Sequence, residues 1–427
     1  VLILGYYDDF VKQATEGYAK IPEETNELYK RHHSVVGAIG SLDSNEQTEN
    51  AAITKFLEQN KGRLRMDFDA VIGSSCAILN NKSITIGRPQ DSEDLFRRMM
   101  HNNVDDKYAA FVNAYSRRAI SINIPKGETK EIKLLFLNHD QPLLSHVFMN
   151  AAEGAKAKVV EVYASISEKP SVMATIHEIT SGDSSNFELD AIHNENSRTT
   201  LLSFCKNSIG TNANLKFNTF YNGTSLSRVR NVMNATSRTS RIEVNEVILG
   251  SSSQKFDIAS QILNQGRESH ASLESKAVLM DTSFCLMKGF ARVLKGASGA
   301  RSFVSERGIL LDKGARVDGL PDMSVDESDV KATHSSATAP VDEETVFYLM
   351  SKGIPEVGVK KLIVSGFLGE SISKMHNPEA RNLAIELINH KLETKQFGAI
   401  PDSNPENAWM FGEEREKDMF EGHYKYR

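Results

Sequence analysis

The sequence predicts a mainly β protein, with a core of short strands between an N-terminal α/β region and a C-terminal helical domain. Three observations predict it. From about Ala119 to Thr338 the chain is rich in Ser, Asn, Thr and β-branched residues that alternate with period two in short bursts. Gly, Asn and Ser turns separate the bursts, with no helical pattern between them. The apolar centres Leu215, Val229, Ile242, Phe256 and Ala271 recur at a step of about 13–15 residues.

Short strands at a steady step fit a sandwich, a barrel or a stacked β-solenoid. Two features lean towards the solenoid. The strands are nearly uniform in length and polar on their outer positions. Their turns are rich in Ser, Asn and Gly, as expected where coils stack and bury only the inward side chains.

Four segments follow. Residues 1–115 form the α/β region: interleaved charged and apolar positions predict helices to about residue 60, and Ala70-Val71-Ile72 and Ser83-Ile84-Thr85-Ile86 read as short strands. A charged helix is expected over Asp91–Asn102. Residues 116–338 form the β core, with runs such as Lys158–Tyr163, Asn214–Asn218, Arg241–Val244 and Lys255–Ile258. Residues 339–397 turn helical. Asp342 is placed to cap the first helix, with Glu343 and Glu344 in the turn where the helix dipole favours negative charge, and Gly353 ends it. Pro355 opens a second helix with Val359, Leu362, Ile363 and Phe367 on one face. Asn377-Pro378 opens a third, striped by Leu383, Leu387 and Ile388. Residues 398–427 are a charged tail holding Trp409, Met410 and Phe411.

Composition narrows the chemistry. With 427 residues, 40% of them apolar, the chain can bury a substantial core in two or three domains. A net charge of −6 with mixed signs argues against nucleic acid, whose phosphates select a basic surface. Three scattered cysteines form no disulfide framework and point to a cytoplasmic protein. No apolar run reaches the roughly 18–20 residues that span a bilayer, and no charged-then-apolar leader opens the sequence. Gly296-Ala297-Ser298-Gly299-Ala300 lacks the Lys-Ser/Thr ending of a phosphate loop, so no nucleotide is expected to bind this chain directly. Nucleophile elbows, His-Glu-x-x-His and Cys-x-x-Cys are absent, which argues against an autonomous hydrolase or zinc enzyme. His32 and His33 would point about 100° apart on a helix and share no metal. Cys205 and Cys285 lie in strand-like apolar runs and read as buried, inert thiols, with Cys76 slightly more open. His334 stands out, at the junction of the β region and the first C-terminal helix.

The words around His334 carry a resemblance. Asp329-Val330-Lys331-x-x-His334-x-x-Ala337-Thr338, then Asp342-Glu343-Glu344-x-x-Phe347-Tyr348-Leu349-x-Ser351-x-Gly353-Ile354, resembles the C-terminal signature of the SufB/SufD family of iron–sulfur cluster assembly scaffolds. Leu362-Ile363-Val364-Ser365-Gly366-Phe367 continues it, and Ala119–Gly127 is similar to the strand that opens the family's β core. The resemblance covers about residues 115–395 and is to a compact, archaeal-like member.

It implies a right-handed parallel β-helix flanked by an N-terminal region and a C-terminal helical domain. It also implies a partner chain, a second copy or a paralogue, paired through the β-helix ends. A SufC-like ABC ATPase would dock on the helical domain through Phe347, Tyr348, Leu349, Leu362, Ile363 and Phe367. A transient iron–sulfur cluster would form near the subunit interface, where His334 matches a histidine proposed as a ligand. The departures matter. Thr333 and Ser335 stand where carboxylates flank that histidine in cluster-carrying scaffolds. The segment between Gly314 and Asp329 is shorter than usual and lacks its cysteine, and Val160–Ser165 lacks another. Iron in clusters prefers thiolate, so other donors are needed. The candidates are Asp322, Asp326, Glu327 and Asp329, or Cys205 and Cys285 if either faces the interface; a homodimer would also supply His334 twice. The expected function is a scaffold coupling the ATPase to cluster assembly or transfer. The alternative is a SufD-like structural partner that holds no cluster. A β-helix carbohydrate-active enzyme is remote, allowed by the solenoid pattern but not by the signature.

Overall fold

Period-two alternation here builds two parallel sheets wound into one solenoid. The computed structural model describes residues 11–16, 18–20, 46–87, 106–116 and 118–402. The helix expected over Asp91–Asn102, the His32-His33 pair and the tail around Trp409 lie outside the described residues.

Helix α1 (Glu46–Leu64) leads into three short strands, β1 (Ala70–Ile72), β2 (Ala77–Leu79) and β3 (Ile84–Gly87), and then α2 (Lys107–Tyr115). The solenoid follows: β4 (Arg118–Ile124), β5 (Thr129–Asn138), β6 (Leu143–Ala151), β7 (Lys156–Ser165), β8 (Ser171–Ser181) and β9 (Asn186–Asn194). It continues through β10 (Thr199–Ile209), β11 (Asn214–Tyr221), β12 (Leu226–Ala235), β13 (Arg241–Gly250), β14 (Lys255–Asn264) and β15 (His270–Leu279). It ends with β16 (Phe284–Val293), β17 (Arg301–Leu310), β18 (Arg316–Gly319), β19 (Asp322–Val325) and β20 (Lys331–Pro340). Even-numbered strands β4–β18 make one sheet and odd-numbered strands β5–β17 the other, extended by β20. Each even–odd pair is one coil, giving about 8 turns. The first coil is capped by β1, parallel to β5, and β3, antiparallel to β4.

Register explains the step in the sequence. Leu215 pairs with Ile242, Ile242 with Ala271 and Ala271 with Ser302, so a coil takes 27 to 31 residues and the sequence step is half a coil. The intervening column differs from the simple alignment: Val229 pairs with Ile258, while Phe256 pairs with Ser227. A two-residue offset preserves the facing of every side chain, so alternation cannot reveal it.

The turns follow one rule that composition hides. After each even strand from β6 to β16 a residue at an equivalent turn position takes positive φ: Gly154, Ser184, Asn212, Thr239, Glu268 and Gly299, with Gly296 a second one in the last of these turns. Each of the six donates its N–H to a carbonyl in the next coil's turn, for example Asn212 to Arg238 at 3.0 Å and Gly299 to Asp329 at 2.7 Å. The inter-coil bond repays the strain of a non-glycine residue there, so only two of the six are glycine.

Inward positions form columns such as Ile132, Val159, Leu189, Phe217, Val244, Leu273 and Val304, all buried in the main core. Outside, the odd sheet is covered as well. Leu135, Val160, Val162, Phe220 and Val247 pack in one cluster with Ile53 of α1 and with residues of two C-terminal helices. Strands covered on both faces read as continuous apolar runs, which is why β5 and β7 do not alternate cleanly. The even sheet is covered near α2, where Tyr108, Phe111 and Val112 pack on Leu144, Ile176 and Phe204.

Three helices close the described chain: α3 (Glu343–Ser351), α4 (Glu356–Ser373) and α5 (Pro378–Thr394). Asp342 caps α3 by accepting from the N–H groups of Glu344 and Thr345, and Asn377 caps α5 by accepting from Ala380. The α4 stripe is narrower than expected. Val359, Val364, Leu368 and Ile372 are buried, while Leu362 is exposed and Ile363 and Phe367 lie at the margin.

Candidate functional site

The last coil leaves the solenoid open at one end. On β20 every residue but Ala332 is exposed, so the strand is paired on one edge only, to β17. His334 pairs with Val304 and therefore continues the inward column that is apolar and buried in every coil below. Where the stack would place another Val or Leu, an exposed imidazole caps the mouth.

Beside that column runs a polar one. In register, Glu161, Ala191, Thr219, Glu246, Ser275, Glu306 and Ser336 face inward from the odd sheet. On the even sheet His177, Cys205, Asn231, Ser260 and Gly289 are in register with one another. The two meet. Tyr163 Oη donates to Glu161 Oε2 at 2.8 Å and lies 3.1 Å from His177 Nε2. Glu246 accepts from Asn231 at 3.1 Å and Ser275 at 2.7 Å, and also from Ser260. Next to them Phe136, Tyr163, His193 and Tyr221 stack with centroids 4.6, 4.2 and 5.0 Å apart. Burial pushes the Glu246 carboxyl above its ordinary range, with the Ser260, Ser275 and Asn231 hydrogen bonds opposing it.

Glu306 is the last buried carboxyl before the mouth. Its Oε1 accepts the Gly289 N–H, while its Oε2 meets no partner in hydrogen-bonding geometry. The nearby Leu320 N–H is committed to Met287 O at 2.8 Å. Burial, with the Glu246 charge, raises this carboxyl to about 8, against the opposing pull of the Gly289 and Leu320 N–H groups.

The residues singled out from sequence do not converge. Cys205 and Cys285 are buried inside the core, where desolvation pushes both thiols upward, so neither faces the mouth. Glu327 accepts from Gly296 N–H at 3.0 Å, and Asp329 accepts from Ser298 Oγ at 2.9 Å; both secure the turn of the coil below. Five residues of extended chain, roughly 15 Å, separate Asp329 from His334. Among the described residues no three His, Cys, Asp or Glu side chains gather around one metal position. Glu306, which does approach the His334 side of the mouth, was missed. It lies 28 positions upstream in Ser305-Glu306-Arg307, and only the coil register brings it near.

The helices are seated unequally. Asp190, Asn218, Asn245 and Glu274 form a column on the outer face of the odd sheet. It receives the α4–α5 corner: Asn377 N–H donates to Asp190 at 2.9 Å, and Asn218 and Asn245 donate to Lys374 O at 3.1 Å and Ser371 O at 2.9 Å. Glu274 pairs with Lys374. By contrast α3 buries no side chain; Phe347 is 76% and Tyr348 59% exposed, and Leu349 is half-buried. A groove of about 550 Å³ separates α3 from the last coils, lined by Leu310, Pro340, Val346, Phe347, Met350 and Lys360, among others. The helix thus carries an exposed aromatic pair while burying none of its own side chains.

Residues 136–367 match the family described as SUF system FeS cluster assembly, SufBD core domain. The chain is 24% identical over 290 residues to the iron–sulfur cluster assembly protein SufD of Bacillus subtilis, covering 67% of this chain and 66% of that one. An iron–sulfur cluster assembly SufBD family protein of Mycobacterium bovis is 42% identical over 98 residues, 23% of this chain and 25% of that one. A second protein of that family from the same organism is 29% identical over 161 residues, 37% of this chain and 18% of that one. The match thus spans just under two thirds of the Bacillus relative and a quarter or less of the mycobacterial ones.

Proposed function

This chain belongs to the SufBD family of iron–sulfur cluster assembly proteins, and on that premise we propose that it is a non-enzymatic, cytoplasmic scaffold subunit of a Suf-type complex. An ABC ATPase of the SufC kind docks on α3 and the exposed margin of α4. A second scaffold chain, a copy or a paralogue, meets the open mouth. The cluster is cargo, assembled or handed on between the two chains.

One observation carries this reading. Strand β20 is the free edge of the solenoid, bears His334, and runs through Val341 directly into the Asp342 cap of α3. A force on α3 is therefore delivered to the mouth, while α4 and α5 stay fixed to the outer sheet. A second reading is favoured by the thiols: with Cys205 and Cys285 inside the core, the chain serves as a SufD-like coupling partner and its neighbour holds the cluster. Anaerobic reconstitution with iron and sulfide, with and without the ATPase, decides between them. A chromophore lost in His334→Ala with the dimer intact supports cluster holding. No chromophore in wild type leaves the coupling role alone.

A further inference from the structure

We propose that one edge of the solenoid, where Arg241, Arg301 and Lys331 stack coil upon coil, is a docking surface for an acidic helix of a partner protein. The surface is separate from α3 and from the inward column that ends in His334, so it stands whether or not the ATPase docks on α3.

Register builds the stripe. Arg241 opens β13, His270 β15, Arg301 β17 and Lys331 β20, and each pairs with the next. Coils repeat about every 4.8 Å, so Arg241 and Lys331 stand roughly 14 Å apart along the axis. Arg241, Arg301 and Lys331 are exposed, and so are Arg238, Arg267 and Lys295 in the turns that precede these strands. Among the described residues only Arg238 of these six cations has a carboxylate partner, Glu268 at 3.2 Å. In the last turns Glu327 accepts the Gly296 N–H and Asp329 accepts from Ser298 Oγ, so both are committed within the turns. Half-buried His270 feels the surrounding charge. Burial first, and then Arg241 and Arg301, hold its imidazole below the ordinary range, against the pull of Glu243.

The neighbouring column shows that such stacking is not the rule for this sheet. Two positions further along the odd strands, Glu131, Lys158, Glu188, Lys216 and Glu243 follow one another in register with alternating sign. Opposite charges in register attract and like charges repel, so alternation serves solubility and folding together. From β13 onward the stripe abandons it: Arg301 lies directly against Lys331, and no carboxylate takes a place in the column. An anionic partner accounts for a repulsive stack that the fold does not need. An α-helix with one glutamate per turn presents a carboxylate about every 5.4 Å, close to the coil step. Duplex DNA would select a broader basic surface than a chain of net charge −6 provides.

The test uses the full chain and a fluorescent, alanine-based helical peptide of about 20 residues with glutamates along one face, followed by anisotropy at low ionic strength. Wild type is expected to bind the peptide saturably and to release it as salt rises. Arg241→Gln combined with Arg301→Gln should weaken binding about tenfold, while Lys158→Gln combined with Lys216→Gln, in the alternating column, should leave it unchanged. The urea midpoint of the arginine double variant should equal or exceed that of wild type, because the substitutions remove repulsion. No binding by wild type, unchanged affinity in the arginine variant, or equal loss in both double variants overturns the proposal. Tighter binding of duplex DNA than of the peptide also overturns it and assigns the stripe to nucleic acid. A lowered urea midpoint in the arginine variant assigns the stripe to the fold and overturns it as well.

Discussion

Replacing Lys391 by methionine should loosen the helical domain from the solenoid. Lys391 lies in α5, is fully buried, and donates to Asn222 O and Leu249 O at 2.5 Å each and to Gln254 Oε1 at 2.6 Å. Its ammonium also sits 4.8 Å from the Phe397 ring centroid. Burial drives its pKa well down, yet all three neighbours are acceptors, so the hydrogen bonds hold the proton in place. Each charge-assisted bond contributes about 1.5–3 kcal/mol, and the ring about 1 kcal/mol more. Relief of the ammonium's desolvation offsets several kcal/mol of this, leaving a net loss of about 3 kcal/mol. Methionine keeps the buried stem, so packing is not the variable. Urea unfolding followed by tryptophan-independent circular dichroism measures the loss, and limited proteolysis locates it beyond residue 340. A change below about 1 kcal/mol, or a more stable variant, would show that the buried charge is a net burden and not a clamp.

Three further outcomes are expected. The Glu246 carboxyl is raised above 4.5 in the fold, so its stabilising share is full below that pH and is lost as pH rises through the folded value. Glu246→Gln should flatten this decline in unfolding curves taken from pH 4.5 upward; parallel curves would refute the assignment. Gly266→Ala drives a carbon to 1.9 Å from Ser237 O, a backbone atom of the coil below. It should cost about 3 kcal/mol in thermal or urea unfolding, and a neutral result would contradict such close stacking. Cys205 and Cys285 should resist thiol reagents until the protein unfolds, and rapid native labelling would place them outside the core.

The solenoid was largely legible because burial inside a coil enforces alternation, and the Leu215–Ile242–Ala271 ladder was visible as a half-coil step. The Val229–Ile258 pairing was not, since an offset of two residues leaves alternation unchanged. Helix starts at Asp342 and Asn377 were readable because capping is local chemistry. The exposure of Leu362 was not, because the tilt of α4 is set by the Asp190–Glu274 column far away in sequence. At the site, His334 could be found from its neighbours in the chain. Glu306 could not, because its place beside Ser336 exists only through stacking of coils.

Coupling between a docked ATPase and the mouth is the centre of the proposed function. Light scattering on the chain mixed with a SufC-type ATPase, with wild type beside Phe347→Asp, addresses it in one measurement. Phe347 is 76% exposed and supports no core, so the variant should fold normally. The expected result is a co-eluting complex with the mass of two scaffolds and two ATPases, reduced by Phe347→Asp to scaffold and ATPase eluting apart. Wild type that never co-elutes with the ATPase, or a complex indifferent to Phe347→Asp, would contradict docking on α3 and with it the transmission through β20.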